Sequence, residues 1–343
     1  MIRRKEARPD VDILERSKAA CKKSPGVVVF PDCLDKRVLE AAAQLKAEGL
    51  AEPVLVQSPF AVRRKMQATR IAGTGLTVVD PTSPSLLKKN ISEYRSLREE
   101  KGKPVSEDAA RASMSCPLAA AAMMVRRGEA EVGVSGNLSS TADVLIAGLS
   151  VLPKQSGINT ISSFFLMVSP TGGKQYIFAD CAVVPEPSAD TLADIAIASA
   201  EKAAALLGEA PRVAMLSFST KGSAGHPRAK MVSAAVERIR KRKPELLVDG
   251  ELQLDAAVVP RVAALKAPGS LIEGKANVLI FPSLEAGNIG YKLVQRLAGY
   301  TAMGPFLQGF QGGWHDLSRG CSAKDIYKVA IIGLCLQRGN LAA

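Results

Sequence analysis

The sequence predicts an α/β protein of two domains, with mostly parallel sheets that carry helices on both faces. Short apolar runs alternate with helical patterns along most of the 343 residues. The apolar fraction of 47% and the charged fraction of 23% are those of an ordinary globular protein. The length itself suggests about two domains.

The first half of the chain alternates strands and helices. The run "VVVF" at 27–30 predicts a buried strand, and the helix that follows it ends at Gly49. Further strands are predicted at "PVLVQ", "LTVVD" and "EVGVS", with helices near 84–101 and 105–127. This order is typical of a parallel sheet. We expect the first ~12 residues to form a solvated arm.

The second half contains an interruption and then the same alternation. The runs "TISSFFLMV" and "QYIFADCAVV" are joined by "SPTGGK", which predicts an antiparallel pair. Strands are then predicted at "RVAMLSF", "LLVDG" and "NVLIF", and helices at 189–207, 228–242, 253–265, 285–298 and 322–337. We therefore expect one domain from 1–150 with 299–343, and a second from 151–298.

The positive charge favours an anionic partner. The formal net charge is +12, and residues 1–128 contain 24 basic against 15 acidic side chains. Nucleic acid is one such partner, but aromatic residues make up only 4% and no recognition motif is present. A small polyanionic substrate fits at least as well, because clustered positive charge steers such ligands into clefts, and we expect no nucleic-acid partner.

Several functional classes are disfavoured by composition. No apolar stretch is long enough to span a membrane, so we expect no membrane partner. The six cysteines lack CxxC spacing, which argues against a disulfide framework or a zinc site and favours a reducing cytosol. With only two histidines, a Ser-His-Asp hydrolase or a histidine-rich metal centre is disfavoured, and we expect no metal.

Four loops after predicted strands are rich in small polar residues. In open parallel sheets, ligands bind beyond the carboxyl ends of the strands. Glycine permits close backbone approach, and serine, threonine and asparagine donate to phosphate or carbonyl oxygens. The alternative is that these residues only form turns and helix caps. The loops are "SGNLSST" (135–141), "SFSTKGSAGHP" (217–227), "DGELQLDAA" (249–257) and "FPSLEAGNIGYK" (281–292).

The segment "DLSRGCSAKDI" (316–326) allows two interpretations. Ser322 and Asp325 fit a capping box ahead of an apolar helix. The same helix N-terminus could instead bind an anion, because its free N–H groups and its dipole favour negative charge.

Taken together, "RVAMLSFST", "VDGELQLDAA", "ANVLIFPSLEAGNIGYKLVQR" and "DLSRGC" resemble the phosphate acetyltransferases of the family that also includes the phosphate butyryltransferases. The likeness covers roughly residues 24–338. The runs "SGNLSSTADVL", "GSAGHP" and "FPSLEAGNIGYK" are most similar to the short ethanolamine-utilisation type.

The resemblance implies transfer of acetyl between acetyl phosphate and coenzyme A, with CoA as substrate and no bound cofactor. It also implies two α/β domains of the isocitrate/isopropylmalate-dehydrogenase type, with the active site in the interdomain cleft. We expect a homo-oligomer, most simply a dimer, in the cytoplasm, with a bacterial microcompartment as its candidate location.

The resemblance also assigns residues to roles. It places the catalytic serine and arginine on Ser318 and Arg319, and the proposed base on Asp325. A carboxylate can serve as general base for the CoA thiol, a hydroxyl can stabilise the oxyanion, and a guanidinium suits the departing phosphate. The substrate-binding positions that it implies are Arg37 and Arg98 for CoA, and Ser139, Ser140, Thr141, Asn288 and Tyr291 on the acyl-phosphate side.

One position departs from the family pattern. Where relatives have an arginine in the helix after the "SST" loop, this chain has Ile146. If that arginine holds an anionic group, Arg98, Arg126 and Arg127 are the substitutes nearest in sequence. A phosphate butyryl- or propionyltransferase, or a catalytically silent regulatory module of the same fold, are the alternatives.

Overall fold

Two sheets organise the chain, and the computed structural model describes residues 9–71, 75–170 and 173–339 of it. Its helices are α1 (Pro9–Lys23), α2 (Lys36–Ala47), α3 (Pro59–Thr69), α4 (Pro84–Glu100), α5 (Glu107–Met114), α6 (Pro117–Arg126), α7 (Thr141–Val151), α8 (Ala189–Leu207), α9 (Pro227–Arg242), α10 (Leu254–Val258), α11 (Pro260–Lys266), α12 (Leu284–Leu297) and α13 (Ala323–Arg338). Its strands are β1 (Gly26–Phe30), β2 (Ala51–Val56), β3 (Thr77–Val79), β4 (Val132–Ser135), β5 (Ser162–Val168), β6 (Gln175–Ala179), β7 (Arg212–Leu216), β8 (Leu247–Leu252), β9 (Val278–Ile280), β10 (Thr301–Gln308) and β11 (Gly313–Asp316).

One compact unit, the five-stranded unit, consists of Ser17–Lys154 and Phe310–Gly339. Its strand order is β11-β4-β1-β2-β3, and every pairing is parallel. The order reverses between β1 and β4, so the loops after these two strands leave the sheet at its topological switch point, where α/β proteins bind ligands. Helix α6 is buried along Leu118–Val125 and packs on the sheet, as do α2 and α13, which also contact each other.

The other compact unit, the six-stranded unit, consists of Gln155–Gly309 together with the start of α1. Its strand order is β10-β5-β6-β9-β7-β8. Strand β5 runs antiparallel to both of its neighbours, and the remaining pairings are parallel. The predicted antiparallel pair within 160–184 is therefore confirmed, and so is the α/β class with two mostly parallel sheets.

The structure differs from the sequence-based expectations in three places. Strand β10 pairs with β5, so the contacts divide the chain after Gly309 and not at the predicted 299. The predicted helices 105–127 and 253–265 are each two helices, broken ahead of Pro117 and Pro260, because proline disfavours a helical residue before it. Of the predicted N-terminal arm, residues 1–8 lie outside the described residues, whereas 9–12 belong to α1.

Candidate active site

The predicted catalytic pair lies in a turn between β11 and α13. The amide of Cys321 donates to the Ser318 carbonyl at 2.9 Å and closes the 318–321 turn. The amide of Gly320 donates to Ser318 Oγ at 3.2 Å. Ser318 and Arg319 are both exposed, and the Arg319 guanidinium has no partner among the residues that the structure describes. The turn therefore presents one hydroxyl and one cation to solvent.

Asp325 forms the predicted capping box at the start of α13. Its Oδ2 accepts from the Ser322 amide at 2.9 Å and from Ser322 Oγ at 2.8 Å, while its own amide donates to Ser322 Oγ at 3.2 Å. Within the described part of the chain, Oδ1 accepts no hydrogen bond. The cap is confirmed, and one carboxylate oxygen is left to accept a proton.

Asp32, which sequence analysis missed, determines the shape of the 135–141 loop after β4. Its buried carboxylate accepts from the amides of Gly136, Leu138 and Ser139 at 2.9–3.1 Å and from Ser139 Oγ at 2.6 Å. Asp32 follows the end of β1, so the two loops at the switch point are bonded to each other. A cavity of about 180 Å³ opens beside them, with Asp32, Ser139 and Gln57 in its lining.

Each of the three predicted hydroxyl ligands donates to a carboxylate of the same unit. Ser139 Oγ bonds Asp32, Ser140 Oγ bonds Asp143 in the capping box of α7, and Thr141 Oγ1 bonds Asp316, all at 2.6 Å. These hydroxyl protons are therefore already committed. A substrate at this loop would meet hydroxyl oxygens as acceptors unless a bond were exchanged.

Asp316 is a second carboxylate that sequence analysis passed over. It ends β11, is 2% exposed, and its Oδ1 is buried without a hydrogen bond among the described residues. Burial raises its pKa to about 6, the Thr141 bond opposes the rise, and the nearby Asp32 charge adds to it. Gly136 makes the close approach possible, because its φ is +90° and a Cβ there would lie 2.0 Å from Asp316 Oδ1.

Arg37 lies at the first turn of α2 and bonds to both loops. Its guanidinium contacts the Asp35 carboxylate and the backbone carbonyls of Asn137, Arg319 and Cys321. The predicted CoA-binding arginine thus joins the 135–141 loop to the 318–321 turn.

Arg98 lies in a group of basic side chains near the end of α4. It is half-buried, and its Nε has no hydrogen-bond partner among the described residues. Burial lowers the pKa of Lys101, and the charges of Arg126 and Arg98 lower it further. Such a group favours an anion.

The three predicted substitutes for the missing family arginine differ in whether their charge is neutralised by an ion pair. Arg127 is neutralised by Glu93 at 3.0 Å and Glu129 at 2.7 Å, whereas Arg126 bonds the Val151 carbonyl at 2.9 Å. Arg126 and Arg98 retain their net charge for an anion. Ile146 is 65% exposed, so it is not a core residue.

In the six-stranded unit, Asn288 and Tyr291 of α12 pack against their own sheet. Asn288 Nδ2 donates to the Cys181 carbonyl at 3.0 Å, and the Tyr291 ring stacks on Phe165 at 4.1 Å between centroids. Gly287 permits this packing, because a Cβ there would lie 2.1 Å from the Asp180 carbonyl oxygen. Their role toward substrate stays a prediction.

The 217–227 loop, predicted as a polar ligand loop, surrounds the side-chain carboxylate of Glu251, which belongs to β8. Glu251 Oε1 accepts from the Gly222 amide at 2.7 Å and from Ser219 Oγ at 2.8 Å, and Oε2 accepts from Ser233 Oγ at 2.6 Å. An anion bound there would have to displace this buried side chain. The donors of the loop therefore stabilise the fold in this structure.

The two cysteines near predicted site residues are buried thiols. Burial raises the pKa of Cys321 to about 11, although the Arg37 charge lowers it, and burial raises the pKa of Cys181 far above its ordinary range. The position of Cys321 ahead of a helix therefore does not acidify it. Both thiols are protonated at neutral pH, which makes them poor nucleophiles.

The described residues hold no group of three His, Cys, Asp or Glu side chains able to bind a metal ion. No helix among them has both the length and the apolar character needed to cross a membrane.

The sequence matches the family described as phosphate acetyl/butaryl transferase over residues 12–334, and the chain belongs to this family. It is therefore a transferase, as the sequence resemblance predicted. It is 43% identical over 321 residues to the phosphate acetyltransferase of Thermoanaerobacterium thermosaccharolyticum, covering 92% of this chain and 95% of that one. It is 41% identical over 305 residues to the Bacillus subtilis phosphate acetyltransferase, covering 89% and 93%.

Solved structures titled phosphotransacetylases are also similar to this chain. The phosphotransacetylase from Streptococcus pyogenes superposes with a TM-score of 0.90 at 38% identity, covering 96% of this chain and 99% of that one. The EutD phosphotransacetylase from Staphylococcus aureus superposes with a TM-score of 0.86 at 38% identity, covering 95% and 98%. A branched-chain phosphotransacylase from Enterococcus faecalis, at 18% identity and a TM-score of 0.66, shares the fold.

Proposed function

We propose that the chain moves acetyl between acetyl phosphate and coenzyme A by direct attack of the CoA thiolate, with both substrates bound together. Relatives that are 41–43% identical over most of the chain are named phosphate acetyltransferases, which supports the acetyl substrate. The observation that carries the mechanism is the 318–321 turn, which exposes a hydroxyl and a guanidinium ahead of a helix whose Asp325 has one oxygen available.

In the first step of the proposed reaction, Asp325 takes the proton of the CoA thiol, since a thiol is mostly protonated at neutral pH. The sulfur then forms a bond to the acetyl carbonyl carbon, and Ser318 Oγ donates to the oxyanion that develops. The bond from carbon to the phosphate oxygen breaks, and phosphate leaves with its charge held by Arg319. The proton on Asp325 passes to phosphate or water, which restores the carboxylate.

A thioester-formation assay with acetyl, propionyl and butyryl phosphate tests the proposal. We expect acetyl phosphate to give the highest kcat/KM without added metal. A preference for butyryl or propionyl phosphate would correct the substrate. Folded protein that forms no thioester with any of the three would be a catalytically silent module, and the proposal would fail.

The oligomeric state is part of the proposal. Helix α12 exposes Ile289 by 57%, Leu293 by 51% and Leu297 by 81%, and the spacing of four residues places them on one face. Such an apolar row supports a homodimer as the functional form. Light scattering of wild type and Leu293→Lys tests it, because a charge in a dimer interface should shift the mass toward the monomer.

We also propose a cytoplasmic location, inside a bacterial microcompartment of the ethanolamine-utilisation type. The likeness to the protein titled EutD phosphotransacetylase and the sequence runs around Ser139 and Asn288 support this. Sedimentation of the enzyme with purified compartments is the expected result, and recovery only in the supernatant would contradict it.

A further inference from the structure

The Asp35–Arg37 pair connects the two loops that carry most of the predicted site of the five-stranded unit. Asp35 is the N-cap of α2, and its Oδ1 accepts from the Arg37 amide at 2.8 Å. The same carboxylate bonds Arg37 Nε at 3.1 Å and Nη2 at 2.6 Å. The cap therefore fixes the guanidinium at the start of the helix, where its direction is set by a side chain two residues away.

The remaining guanidinium donors go to backbone carbonyls of the two loops. Nη1 donates to Arg319 O at 2.8 Å and to Cys321 O at 2.6 Å, and Nη2 donates to Asn137 O at 3.1 Å. A guanidinium has five N–H groups. One on Nε, two on Nη1 and two on Nη2 all have acceptors within the protein, so none is left for a phosphate group.

We propose that Arg37 is a positioning residue, which acts by holding the 318–321 turn in register with the 135–141 loop and does not act by binding CoA. This inference rests on the proposed roles of Ser318 and Arg319. The carbonyls of Arg319 and Cys321, which accept from Arg37 Nη1, lie on either side of Gly320 in the turn. Loss of the guanidinium therefore frees the backbone that directs the Ser318 hydroxyl and the Arg319 side chain. Misplacement of about 1 Å at a catalytic group can lower turnover by about 10²-fold.

The shape of arginine is essential to this role. A planar fork reaches a carboxylate on one side and three carbonyls on the other, whereas a lysine ammonium is a single point with three donors. Lysine at position 37 would keep the positive charge and could still attract a phosphate. It could not hold both loops, so Arg37→Lys separates positioning from charge.

The experiment measures kcat and KM for CoA, and for CoA that lacks its 3′-phosphate, in Arg37→Lys, Arg37→Gln and Asp35→Asn. We expect kcat to fall by about 10–100-fold in both Arg37 variants, with little change in KM for CoA. The ratio of kcat/KM between CoA and its dephosphorylated form should equal that of wild type. Asp35→Asn should also lower kcat. In the Asp35→Asn/Arg37→Lys double variant the two effects should not add.

Lys36→Gln is the matched control, because Lys36 is the neighbouring cation, is 58% exposed and forms an ion pair with Glu40 on the helix surface. It removes the same charge from the same helix end and should keep the wild-type kcat. A general electrostatic effect on CoA would appear in this variant as well, and that result would contradict the positioning role.

Three outcomes overturn the inference. The first is a rise in KM for CoA with unchanged kcat, and the second is loss of the preference for the 3′-phosphate in the Arg37 variants. Either would make Arg37 a CoA ligand. The third is a wild-type kcat in Arg37→Lys.

Failure of the proposed function is distinguished by Ser318→Ala and Asp325→Asn. If those two variants keep full activity, the site itself is wrongly placed. If they lose activity while the Arg37 variants do not, only the positioning role is wrong. Should Arg37→Gln fail to fold, Arg37→Lys and Asp35→Asn decide the matter, with the thermal midpoint recorded for each.

Discussion

Asp325→Asn separates the two roles that Asp325 can have, helix cap and general base. In the structure the cap uses Oδ2 alone, which accepts from the amide and the hydroxyl of Ser322. The amide oxygen of asparagine can accept the same two bonds, so the variant loses only the interaction of a negative charge with the helix N-terminus. That interaction is worth about 0.3–1 kcal/mol. For a domain of about 150–250 residues it corresponds to a fall of roughly 1–4 °C in the unfolding midpoint.

The expected effect on catalysis is much larger. An amide cannot accept the thiol proton at neutral pH, and loss of a general base lowers turnover by about 10²–10⁴-fold. The assay follows thioester formation at saturating acetyl phosphate and CoA, with the unfolding midpoint measured on the same preparation. A drop of that size at nearly unchanged stability identifies the base.

Two controls calibrate the comparison. Ser322→Ala removes the other half of the box and costs about 1 kcal/mol, yet it leaves the carboxylate in place and should keep most of the turnover. Asp143→Asn makes the same change in the equivalent box on α7, where Asp143 Oδ2 accepts from Ser140 Oγ at 2.6 Å, so its unfolding midpoint shows what the loss of charge alone costs in stability. If Asp325→Asn unfolds early but retains full specific activity, Asp325 is only a cap and is not the general base.

Four further variants test separate parts of the site. Ser318→Ala should lower kcat by about 10²–10³-fold at an unchanged unfolding midpoint, and an unchanged kcat would remove the oxyanion role. Cys321→Ser should keep substantial activity, because the pKa of this thiol is raised to about 11, and trapping of an acetylated Cys321 by mass spectrometry would contradict direct transfer. Ile146→Arg should lower KM for acetyl phosphate or CoA by roughly tenfold. Since Ile146 is 65% exposed, the unfolding midpoint should not change, and a large fall in it would show that the side chain is packed. Asp316 has a pKa raised by burial from 3.8 to about 6, so the folded state binds its proton more tightly than the unfolded chain. Its stabilising contribution is complete below pH 3.8 and is lost as the pH rises through about 6, and Asp316→Asn should gain stability relative to wild type over that interval in pH-dependent thermal melts.

Much of the fold followed from periodicity, and the exceptions have identifiable causes. The predicted strands of the first half correspond to β1 to β4, and three of them (β1, β2 and β4) were recognisable because buried parallel strands are continuous apolar runs. Strands β10 and β11 were missed, since the segment around Gly304, Pro305 and Gly309 lacks a clear alternation. Their extended form comes from pairing with β5 and β4, which are distant in sequence. Local pattern does not contain that information.

The site was predicted less completely, and the reason is chemical. Sequence analysis treated the hydroxyls of Ser139 and Thr141 as free donors for phosphate, but their protons are held by Asp32 and Asp316. The positions of these acids could have indicated their role, because Asp316 is the last residue of β11 and Asp32 lies two residues after the end of β1. A carboxylate repels an anion, so a pattern of anion-binding residue types does not include these acids.

Asp32 and Asp35 order the loops that carry the proposed anion site of the five-stranded unit. Loop amides and hydroxyls without partners would be free to rearrange, and each ordered residue has an entropic cost of about 1–2 kcal/mol. Asp32 orders the 135–141 loop through four bonds, and Asp35 fixes the direction of Arg37, which then holds the 318–321 turn. The arginine left without a partner among the described residues of this turn is Arg319. The Arg319 guanidinium is therefore exposed on an ordered turn, which is what the proposed contact with the departing phosphate requires.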